Sequence, residues 1–170
     1  MHASLGRTNL WQSSARFFTK RGHELTEKIL FYSRDEKFGW LSNFHRSLQV
    51  VDGVFYPTNE HYYQSMKTKD PDLKRWIMSA PTPFLAMKAG RSLREGKELV
   101  SNWEDIKVEV MLKGLRAKFS NPKLRDMLLA TGDSVLMENS QTDMFWGGRG
   151  KNMLGKLLMQ VRSEIDEVKE

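Results

Sequence analysis

Cysteine is absent from the sequence, which excludes disulfide bonds and cysteine-ligated zinc and fits a reducing, cytoplasmic compartment. No apolar run reaches the ~18 residues that a membrane-spanning helix needs, so we expect no membrane partner. The four histidines show no metal-ligand spacing, and Asp70 and Asp72 do not form a calcium loop. We therefore predict neither a bound metal ion nor any other cofactor.

Acidic residues are missing from residues 1–23, which carry four basic side chains, whereas the rest of the chain is nearly balanced in charge. A protein that held nucleic acid mainly through phosphates would usually carry more excess charge on its domain. We predict a basic N-terminal extension over residues 1–26 and one domain over residues 27–168. The arginine- and serine-rich extension is typical of a mitochondrial transit peptide, which makes a mitochondrial location the alternative, although an ordinary extension is the simpler interpretation.

Apolar periodicity and turn residues predict a predominantly α-helical single domain of the α+β class, with a few short strands. An Asp52-Gly53 turn joins two of the strands into a hairpin. Ser101 and Glu104 form a capping-box pattern ahead of the longest helix. The predicted strands are 28–32, 48–51, 54–56 and 135–137, and the predicted helices are 59–68, 73–78, 83–93, 102–119, 122–130 and 151–165.

One predicted helix carries a set of chemically reactive side chains. Its sequence places Glu60, Tyr63, Gln64 and Lys67 at positions i, i+3, i+4 and i+7, which is one stripe of a helix. A carboxylate, a phenol, an amide and an amine on one face could form a reaction surface. The spacing alone is equally compatible with a solvated face.

Four blocks, taken in order, resemble the NADAR family: GWLSNF (39–44), YPTNEHYYQSMK (56–67), NWEDIKVEVMLKGLRAKF (102–119) and DMFWGGRGKNMLGKLLMQVR (143–162). The resemblance covers roughly residues 29–165. It implies an N-glycosidase, a hydrolase of the bond between a ribose carbon and a base nitrogen. Some members act on ribosylated pyrimidine intermediates of riboflavin synthesis, and others remove ADP-ribose from guanine bases.

The resemblance also implies roles for individual residues. Glu60 and Lys67 match the helix motif and, with Asp143, are the catalytic candidates. The candidates for substrate binding are Asn43, Phe44, Tyr63, Gln64, Trp103, Trp146, Gly147, Arg149, Lys151 and Asn152. The glycine loop is shorter here than in some members, so the resemblance does not fix the substrate or the role of Arg149.

Cleavage of a ribosyl C–N bond builds positive charge on the ribose, which a carboxylate such as Glu60 or Asp143 can stabilise. Lys67 permits another route, in which its amine attacks the anomeric carbon and forms a Schiff base. That route needs a neutral lysine, so we expect desolvation by Tyr63 and Trp146 to lower its pKa. A contact with a phosphate or carboxylate is the alternative role of this lysine.

The segment from Gly147 to Lys151 leads into the last predicted helix. Backbone amides at a helix start, beside arginine and lysine, suit a phosphate, although a glycine turn that packs the helix closely is an alternative. Trp146 and Phe44 could stack a base, or could belong to the core.

Three functions fit these observations. The first is removal of ADP-ribose from guanosine in nucleic acid, and the second is hydrolysis of a ribosylamino-pyrimidine phosphate. The third is a non-catalytic module that binds ADP-ribose or nucleic acid, which the presence of Glu60 and Lys67 disfavours. A free-standing domain slightly favours the first, and the oligomeric state is left open.

Overall fold

The computed structural model describes residues 27–167, which form one α+β domain, as predicted. Residues 1–26 and 168–170, with the predicted extension and its bearing on location, lie outside the described residues. The strands are β1 (Lys28–Phe31), β2 (Gln49–Val51), β3 (Val54–Tyr56) and β4 (Val135–Glu138). The helices are α1 (Asn59–Ser65), α2 (Pro71–Met78), α3 (Pro83–Arg91), α4 (Trp103–Phe119), α5 (Pro122–Leu129) and α6 (Met153–Glu167).

The four strands form two separate pairs. β1 and β4 are parallel, and this register sets Phe31 opposite Glu138 at the end of both strands. β2 and β3 form the predicted hairpin, in which Asp52 and Gly53 have φ angles of 51° and 78°. Positive φ at both central residues is what a tight hairpin turn requires, which explains the Asp-Gly pair.

Side-chain caps and prolines fix where most helices begin. Thr58 caps α1, and α2, α3 and α5 each begin with a proline in the first turn, where its missing N–H is harmless. The capping box predicted for α4 is wrong. The cap is Asn102, which makes no side-chain cap bond, and Glu104 pairs with Lys107 rather than reaching back to the chain.

The core lies between the β1–β4 pair and helices α1, α4, α5 and α6. α1 is buried along its whole length, from Asn59 to Ser65, and packs against α2, α3 and α4. A solvated face for this helix is therefore excluded. No helix within residues 27–167 is long and apolar enough to cross a bilayer.

Candidate active site

A pocket of about 440 Å³, open to solvent, lies where α1 meets α4, the loop before β2 and the segment that follows β4. The structure brings nine of the sequence-predicted site residues to its wall: Asn43, Phe44, Glu60, Tyr63, Gln64, Lys67, Trp103, Asp143 and Trp146. The stripe of α1 predicted from helical spacing therefore faces a cavity.

Glu60 lies at the bottom of this arrangement, with 6% of its surface exposed. Its Oε1 accepts a hydrogen bond of 2.7 Å from Gln64 Nε2. Burial raises the pKa of Glu60, while the hydrogen bond from Gln64 and the positive charges of Lys67 and Arg91 act in the opposite direction. Three neighbours, Gln64, Lys67 and Arg91, thus favour the ionised form of Glu60.

Lys67 follows the end of α1, and its backbone carbonyl accepts a hydrogen bond of 2.9 Å from the Val100 amide. Its Nζ lies 5.7 Å from the ring centroid of Tyr63 and 5.6 Å from that of Trp103. Burial lowers the pKa of Lys67, and the negative charge of Glu60 opposes that shift. No direct ion pair joins the two side chains, so Glu60 does not occupy the amine of Lys67.

The aromatic wall differs from the sequence expectation in one respect. Trp103 rather than Trp146 is the second ring beside the Lys67 amine. Trp146 packs edge-on against the other side of Tyr63, with ring centroids 5.6 Å apart. The reason is that α4 begins at Trp103 beside the segment that follows α1, whereas Trp146 arrives from the loop after β4.

Asn43 belongs to a buried amide network. Its Oδ1 accepts a hydrogen bond of 2.9 Å from Asn59 Nδ2, and Asn59 Oδ1 accepts one of 3.0 Å from Gln49 Nε2. The carbonyl of Asn43 also accepts the Glu60 amide at 3.1 Å. These bonds tie the loop before β2 to the start of α1, so Asn43 positions the backbone that carries Glu60.

Asp143 uses one carboxylate oxygen to shape the loop after β4. Its Oδ1 accepts hydrogen bonds of 3.0 Å from the Phe145 amide and 2.7 Å from the Trp146 amide. This turn brings Asp143 and both aromatic rings to the pocket wall. Asp143 is therefore at once part of the pocket and the residue that orders this wall.

Four predicted substrate-binding residues lie outside the pocket wall: Gly147, Arg149, Lys151 and Asn152. Arg149 Nη1 donates a hydrogen bond of 2.6 Å to Gln141 Oε1 at the surface. Asn152 has a φ angle of 50°, and its side chain bonds to the Glu138 amide and the Leu136 carbonyl. The Asn152 side chain thus joins β4 to the start of α6, and it bonds to the backbone of the pocket residue Glu138.

The glycine loop does not form the phosphate cradle that the sequence suggested. The Gly148 amide donates to the Glu138 carbonyl at 2.6 Å, and the Lys151 amide donates to the Met144 carbonyl at 2.9 Å. The Asn152 amide is likewise taken by the Gly147 carbonyl at 3.0 Å. A Cβ at Gly147 would collide with the Asp143 carbonyl, so the glycine serves close packing of the turn.

Sequence reasoning missed Glu138, which ends β4 and lines the pocket. Burial raises its pKa to about 7, and the negative charges of Asp143 and Glu60 add to the shift. Glu60, Glu138 and Asp143 thus line the pocket as three carboxyl groups, and Glu104, which pairs with Lys107, lines it as well. In the sequence, Glu138 directly follows the predicted strand 135–137 and begins a polar stretch that looks like an ordinary surface loop. Its position beside that strand was the only local signal for it.

A cationic side was also missed. Arg91, at the C-terminal end of α3, and Lys107, on α4, line the pocket together with Lys67. Lys107 Nζ lies 4.0 Å from the ring centroid of Phe145, and Lys151 Nζ lies 5.3 Å from the same centroid. Basic side chains therefore flank an aromatic ring at this part of the pocket wall.

Over residues 27–167, no three His, Asp or Glu side chains are grouped in a way that could hold a metal ion. His61 is held between Thr58 Oγ1 at 2.8 Å and the Ala80 carbonyl at 3.0 Å. Its ring therefore connects α1 to the segment between α2 and α3.

Comparison with known proteins places this pocket in a family. The family model described as "NADAR domain" matches residues 30–166. The N-glycosidase YbiA of Escherichia coli (strain K12) is 40% identical over 149 residues, covering 84% of this chain and 92% of the relative. The N-glycosidase Npun_R5314 of Nostoc punctiforme is 38% identical over 145 residues, covering 81% and 92%.

Two further comparisons extend this result. The maize (Zea mays) riboflavin biosynthesis protein PYRR, chloroplastic, is 44% identical over 158 residues, which cover 82% of this chain but 25% of the maize protein. The NMR structure of the E. coli protein YbiA matches with a TM-score of 0.76 and 39% identity, covering 88% of this chain and 92% of that one.

These observations together define the class of the protein. It is an N-glycosidase, a hydrolase of the bond between a sugar carbon and a nitrogen. The chain belongs to the NADAR family.

Proposed function

We propose that this N-glycosidase removes ADP-ribose from ADP-ribosylated guanosine in nucleic acid, and that Lys67 forms a Schiff base with the ribose during the reaction. The observation that carries the proposal is the shared pocket of Glu60 and Lys67, in which the carboxylate is held by Gln64 and the amine lies against two aromatic rings.

The geometry supports a covalent route. The ribose ring opens at its C1′–O bond, the ring oxygen takes up a proton from solvent, and C1′ becomes an iminium carbon. Lys67 Nζ adds to C1′ and loses a proton to the Glu60 carboxylate, which returns it to solvent. The base nitrogen then leaves with the electron pair of its bond to C1′ and takes up a proton. Water hydrolyses the remaining C1′–Nζ double bond, which releases the free sugar and restores the Lys67 amine.

The lowered pKa of Lys67 serves this chemistry, because only the neutral amine carries a lone pair. The amine lies beside the rings of Tyr63 and Trp103, and its burial favours the neutral form. Glu60 lies close enough for its charge to act on Lys67 but makes no ion pair with it. Both side chains line the pocket, so a sugar bound there can contact both.

The cationic side supports a phosphorylated sugar. Arg91 and Lys107 line the pocket and can bind phosphate oxygens, and the carboxylates on the same wall can stabilise the developing positive charge on ribose. Lys107 and Lys151 beside Phe145 add a cationic and stacking rim for a nucleic-acid strand outside the pocket.

A second candidate is hydrolysis of a ribosylamino-pyrimidine phosphate. It is favoured by the names of the maize relative and of the Vibrio vulnificus protein VVA0006, both riboflavin biosynthesis proteins. The matched segment covers 25% and 41% of those two proteins, so their names describe much longer chains.

The deciding experiment presents the purified protein with an ADP-ribosylated guanosine oligonucleotide and, separately, with the ribosylamino-pyrimidine phosphate. Chromatography then detects free ADP-ribose or ribose phosphate. Release from the oligonucleotide is expected, and release from the pyrimidine alone would replace the first candidate with the second. Release from neither would refute both.

Matched variants test the site in the same assay. Glu60→Gln keeps the size of the side chain but removes the base, so we expect a loss of ~10²–10⁴-fold in rate. Glu109→Gln makes the same chemical change on an exposed part of α4 outside the pocket and should leave the rate unchanged. Equal rates in both variants would remove Glu60 from the mechanism.

A further inference from the structure

Glu138 occupies a rigid position in the pocket wall. It is the last residue of β4, and its backbone is held on both sides, because its amide donates to Asn152 Oδ1 at 3.3 Å and its carbonyl accepts the Gly148 amide at 2.6 Å. Its Cα is paired with that of Phe31 on the parallel strand β1. Glu138 lines the cavity from this strand end, and Glu60 lines the same cavity from α1.

The surroundings of the two glutamates differ in kind. Burial and the charge of Asp143 raise the pKa of Glu60, whereas a hydrogen bond from Gln64 and the charges of Lys67 and Arg91 favour its carboxylate form. Glu138 receives no side-chain or backbone hydrogen bond from residues 27–167 on its carboxyl oxygens. The charged groups that bear on it are both carboxylates.

Each element packed around Glu138 contributes to this difference. The loop after β4 places Asp143 near it, and α1 places Glu60 near it. Tyr32 lines the pocket just after β1, and α6 contributes the apolar Leu154. Burial raises the pKa of both carboxyl groups, but only Glu60 has a hydrogen bond and nearby positive charges that act against the shift.

We propose that Glu138 is the catalytic acid that protonates the leaving base nitrogen. The C1′–N bond breaks, its electron pair goes to the nitrogen, and the nitrogen takes the proton of the Glu138 carboxyl group. The water molecule that later reaches C1′ supplies its oxygen to the sugar and a proton that restores Glu138. This role rests on the proposed cleavage of a ribosyl C–N bond and adds a proton donor for the leaving nitrogen.

Two measurements test the proposal, of which the first needs no substrate. Side-chain ¹³C labelling of glutamate allows the Glu138 carboxyl to be titrated by NMR, with its signal assigned by its absence from Glu138→Gln. We expect a protonated group up to neutral pH. A signal that titrates in the ordinary carboxylate range, at about 4.5, would overturn the proposal whatever the substrate proves to be.

The second measurement is the pH dependence of kcat/KM on the substrate that the wild type cleaves. The wild-type rate should fall as the pH rises through about 7, and Glu138→Gln should lose this alkaline limb together with ~10²–10⁴-fold of the rate. Glu138→Asp should regain part of both, which a merely structural role would not produce.

Retention of the full rate and of the alkaline limb in Glu138→Gln would overturn the proposal. A wild type that cleaves neither candidate substrate would instead refute the proposed function, and the NMR titration would still decide whether Glu138 carries the proton.

Discussion

Gln64 Nε2 donates a hydrogen bond of 2.7 Å to Glu60 Oε1, one helical turn away on the buried helix α1. The other amide atom, Gln64 Oε1, is buried against Gly90 of α3 and accepts no hydrogen bond from residues 27–167. The amide is thus oriented so that its donor serves the carboxylate. This arrangement links the ionisation of Glu60 to the packing of α1 on α3.

Gln64→Met should shift the acid limb of the pH profile. Without the donor, the pKa of Glu60 rises further, because the desolvation that already raises it is less opposed. The carboxylate form then appears only at higher pH, so kcat/KM should fall at neutral pH and recover as the pH increases. A profile identical to that of the wild type would show that the hydrogen bond does not control Glu60.

Gly90→Ala should lower catalytic activity through its effect on Gln64. A Cβ at Gly90 would overlap Gln64 Oε1, and the amide would have to move away from Glu60. We expect lower activity with the same shift in pH profile as Gln64→Met, and a loss of stability of about 1–3 kcal/mol from overpacking. Lys88→Ala, on the same helix but outside the pocket wall, is the control, and equal behaviour of the two variants would contradict this reading.

Arg91→Ala and Arg149→Ala should behave differently. Arg91 lines the pocket on its cationic side, whereas Arg149 bonds to Gln141 outside it. Removal of Arg91 should raise KM for a phosphorylated substrate by ~10-fold or more, because a charge-assisted contact is lost. Arg149→Ala should leave KM unchanged. A larger effect on KM there than at Arg91 would indicate that the substrate phosphate binds at the glycine loop instead.

Lys118→Met should alter how stability depends on pH. Lys118 is fully buried, its Nζ donates to the Ser42 carbonyl at 2.8 Å, and burial lowers its pKa to about 7. The unfolded chain binds the proton up to the ordinary value of 10.5. Between these values the unfolded state holds more protons, so the free energy of unfolding rises with pH.

Urea unfolding at several pH values measures this slope. The wild type should become more stable from about pH 7 towards about pH 10, and Lys118→Met should lack that increase. The same slope in both proteins would show that Lys118 is not its source. The Ser42 carbonyl also loses its donor, which costs about 1–3 kcal/mol and loosens the loop that bears Asn43.

The sequence predicted the active-site helix because helical spacing is a local property. Glu60, Tyr63 and Gln64 fall on one stripe of α1 whatever surrounds it, and Lys67 follows shortly after the helix ends at Ser65. Glu138 and Arg91 could not be found in this way, since a strand pairing and a helix packing bring them to the pocket from positions distant in the chain. The phosphate loop was misjudged for a related reason: the sequence does not show which carbonyls will take the loop amides.

Borohydride trapping on Lys67 tests the central claim most directly. Reduction during turnover should fix the sugar to the protein, and peptide mass spectrometry should locate the adduct on Lys67 in the wild type and find none in Lys67→Arg. An adduct on another lysine, or full product release by Lys67→Arg, would contradict a Schiff base on Lys67.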